Sequence, residues 1–195
     1  MREGLTAAVI AGGAARRMGT DKRAILVDGI PLLTRSVAAV SRVADEVLVS
    51  TTRGRPVSVD LPGVRVVEDR VPDGGPLAGI EAALAAASNP LVLVVAADMP
   101  WLAEGLLELL VTRARDASDA GAVAIRSDRG LEPLLAVYRR KTLTVVTGLV
   151  DSGKHRAGHL LEMVVTVAVP PEEWRRVDPD GRSLVNLNAP DDLPT

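Results

Sequence analysis

The sequence predicts an α/β fold, with a mainly parallel, Rossmann-like sheet flanked by helices and built as a single domain over residues 1–195. Three observations lead to it. Short Val- and Ile-rich runs alternate with longer stretches in which apolar residues return every three or four positions, the signatures of strands and helices taken in turn. Most strand runs are continuously apolar, as strands covered on both faces must be. Finally, 47% of the chain is hydrophobic yet only Trp101, Trp174 and Tyr138 are aromatic, so the core consists of Ala, Val, Leu and Ile. The length suffices for one such core with a site at its edge and is cramped for two.

In chain order, the first strand is expected over residues 5–11 and a helix over 31–43, with Pro31 in a first turn that tolerates proline. Strands follow at 46–51 and 64–68, then a helix over 76–87 opened by Pro76. The most apolar strand spans 91–96; a helix at 103–115, a strand at 122–126 and a helix at 139–150 complete the regular part. A further strand is expected at 164–169, ended by Pro170-Pro171. The Asp178-Pro179-Asp180-Gly181 segment reads as a turn and not as a domain linker.

Composition removes several function classes. The chain has no cysteine, hence no disulfide framework, thiolate metal site or cysteine nucleophile. A formal charge of −2 argues against broad electrostatic binding to nucleic acid or to an anionic membrane. Neither a signal peptide nor a membrane span is expected, so a cytoplasmic location is the default.

The first strand runs into Gly12-Gly13-Ala14-Ala15-Arg16-Arg17-Met18-Gly19-Thr20-Asp21-Lys22, where three glycines and two alanines let the backbone approach a ligand closely. In an open parallel sheet ligands sit beyond the carboxyl ends of strands, so this loop is the expected address of a nucleotide, its amides cradling phosphate oxygens. Arg17 and Lys22 supply the charge a triphosphate needs. Neither the dinucleotide glycine pattern nor the Walker pattern can be laid over the loop.

Two strands end in carboxylates, one at Glu68-Asp69 and one at Asp98 before Met99-Pro100. On the same sheet edge as a phosphate loop they could hold Mg²⁺, which takes one or two carboxylates together with substrate phosphates and water. An N-cap or turn role is the alternative for Asp98; for Asp69 it is a solvated polar loop, and the sequence leaves the choice between Glu68 and Asp69 open. Between these strand ends, Asp73-Gly74-Gly75-Pro76-Leu77-Ala78-Gly79 offers a flat backbone surface against which a base could lie.

Two further patterns are set aside. Gly148 to His155 nearly satisfies the Walker pattern, but His155 stands where a Ser or Thr hydroxyl would bind the metal, and the segment reads better as a turn joining two helices. His155 and His159 are spaced as zinc ligands can be, without a catalytic glutamate or a third ligand in view.

Taken together, Ala11-Gly12-Gly13, Arg16-Arg17-Met18-Gly19, Asp21-Lys22, Glu68-Asp69, Gly75-Pro76-Leu77-Ala78-Gly79 and Ala97-Asp98-Met99-Pro100 resemble the molybdenum-cofactor guanylyltransferase (MobA-like) family, within the nucleotide-diphospho-sugar transferase type of fold. Residues 132–138 are similar to its later strand, and Asn186-Leu187-Asn188-Ala189-Pro190-Asp191-Asp192-Leu193 to its C-terminal signature. The resemblance implies that Ala11, Gly12, Gly13, Arg17 and Lys22 form the triphosphate site, that Asp69 binds the nucleotide and that Asp98 binds Mg²⁺. It implies that Gly75 and Gly79 meet guanine and that Asn186 and Asn188 lie toward the pterin. The resemblance further implies that the second glycine of the Gly12-Gly13 pair favours GTP, where cytidylyltransferase relatives more often show Ala-Gly. Ser50 departs from the family pattern, in which well-known members carry Asn; its hydroxyl can still donate and accept, with a shorter reach.

The implied reaction joins the terminal phosphate of molybdopterin, free or molybdenum-bound, to the α-phosphorus of GTP and releases pyrophosphate. Arg17, Lys22 and Asp98 with Mg²⁺ are the expected catalytic groups, and a molybdoenzyme or cofactor-delivery protein the expected partner. Two alternatives stand beside it: a CTP-dependent or other nucleotidyltransferase on the same fold, and a non-catalytic nucleotide-binding accessory protein.

Overall fold

A computed structural model describes residues 3–12, 25–55 and 61–187. Its centre is a seven-stranded sheet in the order β5-β4-β1-β6-β8-β7-β9. The strands are β1 Leu5–Ile10, β4 Glu46–Thr51, β5 Arg65–Glu68, β6 Leu91–Ala96, β7 Ala122–Ser127, β8 Gly130–Arg139 and β9 Thr166–Val169. The pairs β4–β5, β1–β4, β1–β6 and β7–β9 are parallel, and β8 alone runs against its neighbours β6 and β7.

Two layers of helix cover the sheet. In β1 every residue is buried; Leu5, Ala7 and Val9 face the layer of α1 (Leu32–Ser41) and α3 (Glu104–Asp116), while Ala8 and Ile10 face α2 (Gly75–Ala86), α4 (Leu143–Asp151) and the short α5 (Gly158–Met163). That alternation makes the run continuously apolar, since each Val, Leu or Ile closed off from water contributes roughly 1.5–3 kcal/mol on either face. A last short helix, α6 (Pro171–Trp174), places the indole of Trp174 in the first layer, its N–H donating to the Arg126 carbonyl at 2.9 Å.

Three expectations need correction. Residues 64–68 do not form a strand buried on both faces, because β5 is an edge strand with Arg65, Val66 and Glu68 exposed. The α-helix expected from 139 starts only at Leu143: Arg139 is the last residue of β8, its amide taken by the Gly121 carbonyl at 2.9 Å, and a 3₁₀ turn over Arg140–Thr142 precedes α4. Pro31 precedes α1 and belongs to β3 (Ile30–Pro31), which pairs with β2 (Leu26–Val27) in a small hairpin. Its connection is Asp28-Gly29, both at positive φ (52° and 76°), the conformation that a two-residue hairpin loop demands.

Candidate active site

Parallel register brings the carboxyl ends of four strands to one edge. Ile10 at the end of β1 is level with Ser50 of β4 and Ala96 of β6, and Thr51 is level with Glu68 of β5. The pairing continues past the strands: the Ala11 amide donates to the Ser50 carbonyl (2.8 Å), that of Ala97 to Ile10 (3.1 Å) and that of Asp69 to Thr51 (2.9 Å). Ala11, Gly12, Ser50, Asp69 and Asp98 therefore stand along a single rim, at the ends of neighbouring strands.

At this rim Glu68 and Asp69 point different ways. Glu68 is exposed and accepts from the Gly54 amide at 3.3 Å. Asp69 is 3% exposed and faces inward, accepting from the Ser50 hydroxyl (Oγ to Oδ1, 2.7 Å), with Ser50 itself 0% exposed. Burial pushes the Asp69 carboxyl above its ordinary range; the Ser50 hydrogen bond opposes that shift, and the negative charges of Glu81 and Glu68 reinforce it.

The glycines of this region pack closely against the protein's own atoms. A Cβ at position 12 would lie 2.9 Å from Asp69 Oδ2 and 3.2 Å from Thr52 Oγ1. One at position 79, inside α2, would lie 2.9 Å from the Ile10 side chain and 3.2 Å from Ser50 Oγ. At Gly75 the backbone is left-handed (φ 67°), and a Cβ would stop 2.7 Å from the His155 carbonyl oxygen. The same carbonyl accepts from the Leu77 amide at 3.3 Å. The near-Walker segment thus runs from the last turn of α4, through Asp151, into the turn that joins it to α5, and that turn braces the start of α2.

Asp98 is half-buried on the loop after β6. Its setting is fixed from two sides: Ser36 of α1 donates to the carbonyls of Ala97 (3.3 Å) and Met99 (3.2 Å), and the Leu187 amide donates to the Asp98 carbonyl at 2.9 Å. The C-terminal segment is clamped to that loop again by Ser183, which accepts from the Ala103 amide (2.9 Å) and lies 3.3 Å from the Trp101 carbonyl, its acceptor. Asn186 reaches the same region, with Oδ1 buried and lacking a hydrogen-bond partner among the described residues. Sequence reasoning missed Ser36 and Ser183, for which the only signal is a small polar residue at a core-facing position.

Gly13, Arg17, Lys22 and Asn188 lie outside the described residues. His155 lies on the turn and His159 within α5. Among the described residues no group of three or more His, Asp or Glu side chains could hold a metal ion, and no helix is long and apolar enough to cross a membrane.

Comparison with known proteins places these features in a wider set. The family model for a MobA-like NTP transferase domain matches residues 7–169. A protein of Chloroflexus aggregans named "Probable molybdenum cofactor guanylyltransferase" is 39% identical, covering 95% of this chain and 89% of its own. One of the same name from Deinococcus radiodurans is 33% identical over 97% and 92%. Among solved structures, molybdopterin-guanine dinucleotide biosynthesis protein A of Archaeoglobus fulgidus superposes with a TM-score of 0.81 at 27% identity, covering 96% of this chain and 94% of its own. The 2-C-methyl-D-erythritol 4-phosphate cytidylyltransferase of Thermus thermophilus shares the fold, with a TM-score of 0.63 at 18% identity over 93% and 100%.

Proposed function

The chain belongs to the MobA-like NTP transferase family, and on that premise we propose that it transfers GMP from GTP to molybdopterin, free or molybdenum-bound, releasing pyrophosphate. The observation that carries the reading is the placement of Gly12 and Asp98 at the carboxyl ends of adjacent strands β1 and β6, with Asp69 on the same rim. Closely related chains named for guanylyl transfer support GTP as donor, as does the Gly12-Gly13 pair.

A terminal phosphate oxygen of the acceptor attacks the α-phosphorus in line. A new phosphoanhydride bond forms as the α–β bond breaks, and the electron pair leaves on pyrophosphate. The turn at Gly12 and Gly13 supplies amides to the phosphates, Arg17 and Lys22 neutralise the charge gathering on the leaving group, and Asn186 and Asn188 orient the pterin. Asp98 offers a single carboxylate with no surrounding ligand cluster among the described residues. That donor set fits Mg²⁺, which completes its shell with substrate phosphates and water. When bound, Mg²⁺ supplies positive charge to the phosphoryl oxygens. The protein works in the cytoplasm, and its product passes to a molybdoenzyme or a cofactor-delivery protein.

Pyrophosphate release from GTP, Mg²⁺ and molybdopterin is the direct test, with CTP, ATP and UTP in parallel. GTP is expected to be preferred, because a base pocket rejects partners that leave its polar groups unpaired. Asp98→Asn is expected to lower kcat about 10²–10³-fold, the scale on which a lost electrostatic stabiliser acts. A preference for CTP would overturn the guanine reading, and normal turnover by the variant would overturn the role of Asp98.

A further inference from the structure

We propose that Ser50 is a positioning residue of the nucleotide site, acting through the Asp69 carboxylate and not by touching the nucleotide itself. The inference rests on the reading of this rim as a nucleotide site and reassigns the position at which the chain departs from its family.

Ser50 has no room for another role. It is 0% exposed at the end of β4, and its hydroxyl is held against Asp69 Oδ1 at 2.7 Å. Behind it stands α2, where a Cβ at position 79 would come within 3.2 Å of the same hydroxyl oxygen. The side chain is therefore wedged between the helix and the carboxylate, and its single proton is committed to a charge-assisted hydrogen bond.

Asp69 is left with one oxygen to offer. Oδ1 belongs to Ser50, and Oδ2 is turned to the glycine turn, where a Cβ at position 12 would meet it at 2.9 Å. An ionised carboxylate only accepts, so Oδ2 suits an N–H or O–H of the bound nucleotide. Without the serine, the carboxylate would lose the hydrogen bond that favours its charged form, while two like charges, Glu81 of α2 and Glu68 at the end of β5, favour its neutral form. A short hydroxyl that fixes Asp69 thus takes the place of a longer side chain that would reach the ligand.

A double-mutant cycle decides this. GTP affinity is titrated in the presence of Mg²⁺ for wild type, Ser50→Ala, Asp69→Asn and the double variant, each checked for folding by its melting curve. Ser50→Ala is expected to weaken GTP binding about tenfold, the scale of a lost hydrogen bond to a charged group. The double variant is expected to match Asp69→Asn within about twofold, because the serine acts only through the aspartate. As pH falls, Ser50→Ala should lose affinity at a higher pH than wild type, since removal of the donor favours the protonated carboxyl. Ser50→Cys, close in size with a weaker donor, should fall between the two and serves if the alanine variant does not fold.

Fold-changes that multiply in the double variant, an acidic limb that stays in place, or wild-type affinity in Ser50→Ala would each overturn the proposal. A wild-type protein that takes CTP in place of GTP would overturn the guanine reading alone, and the same cycle run with CTP would still decide the role of Ser50.

Discussion

Gly75 carries two constraints that no larger residue meets: a left-handed backbone (φ 67°) and a carbonyl oxygen of His155 in the place a Cβ would occupy. That oxygen belongs to backbone and cannot swing aside as a flexible side chain would. Gly75→Ala is therefore expected to cost about 1–3 kcal/mol of stability, the range for a non-glycine residue in such a conformation, read as a lower urea midpoint. An unchanged midpoint would show that the turn between α4 and α5 gives way. At this scale the residue types were legible and their partners were not. Gly12, Gly75 and Gly79 stand out in the sequence as a surface for a ligand, yet Asp69, His155 and Ile10 are what a Cβ at each would meet first. Glu68 and Asp69 are equivalent as letters; only the geometry at the end of the edge strand turns one outward to Gly54 and the other inward to Ser50.

At the scale of elements, the opposite edge of the sheet is tied together by Glu46, the first residue of β4. It accepts from Thr6 of β1 (2.6 Å), from Arg65 of β5 (2.6 Å) and from the amide (2.9 Å) and hydroxyl (3.0 Å) of Ser88 in the turn between α2 and β6. Burial by itself raises its pKa, but these bonds outweigh burial and hold it at about 2, against an ordinary 4.5. A carboxyl whose pKa is depressed by folding stabilises above its unfolded value and loses that contribution as pH falls through the folded one. The melting temperature should thus decline between about pH 4.5 and pH 2. Glu46→Gln should melt lower at neutral pH and flatten the curve within that window, and a slope unchanged in the variant would assign the acid sensitivity to other groups. The strands and helices themselves were largely readable because both faces of the sheet are covered, which makes the central strands β1 and β6 almost wholly apolar. What misled is local. Arg139 sits at the start of a helical pattern but is claimed by β8, opposite Leu91 of β6, and the valines at 64, 66 and 67 do not reveal that β5 is an edge strand.

For the whole molecule, the proposed nucleotide site at the carboxyl ends of β1, β4, β5 and β6 would couple ligand binding to folding. A ligand that binds only the folded state stabilises it by about 2.7 kcal/mol at a hundred times its Kd. GTP with Mg²⁺ should accordingly raise Tm more than CTP with Mg²⁺, and Asp98→Asn should remove the Mg²⁺-dependent part of the rise while leaving the ligand-free Tm close to wild type. Equal shifts with both nucleotides would count against a guanine pocket. By itself the sequence determined the α/β class and the mainly parallel sheet, because hydrophobic period is a local property written residue by residue. The tertiary structure alone decided the reversed strand β8, the inward turn of Asp69 and its bond to Ser50, and the clamping of the Asp98 loop by Ser36 and Leu187. Those depend on which segments meet across the sheet, and such meetings follow from the burial of the whole chain, where no local pattern records them.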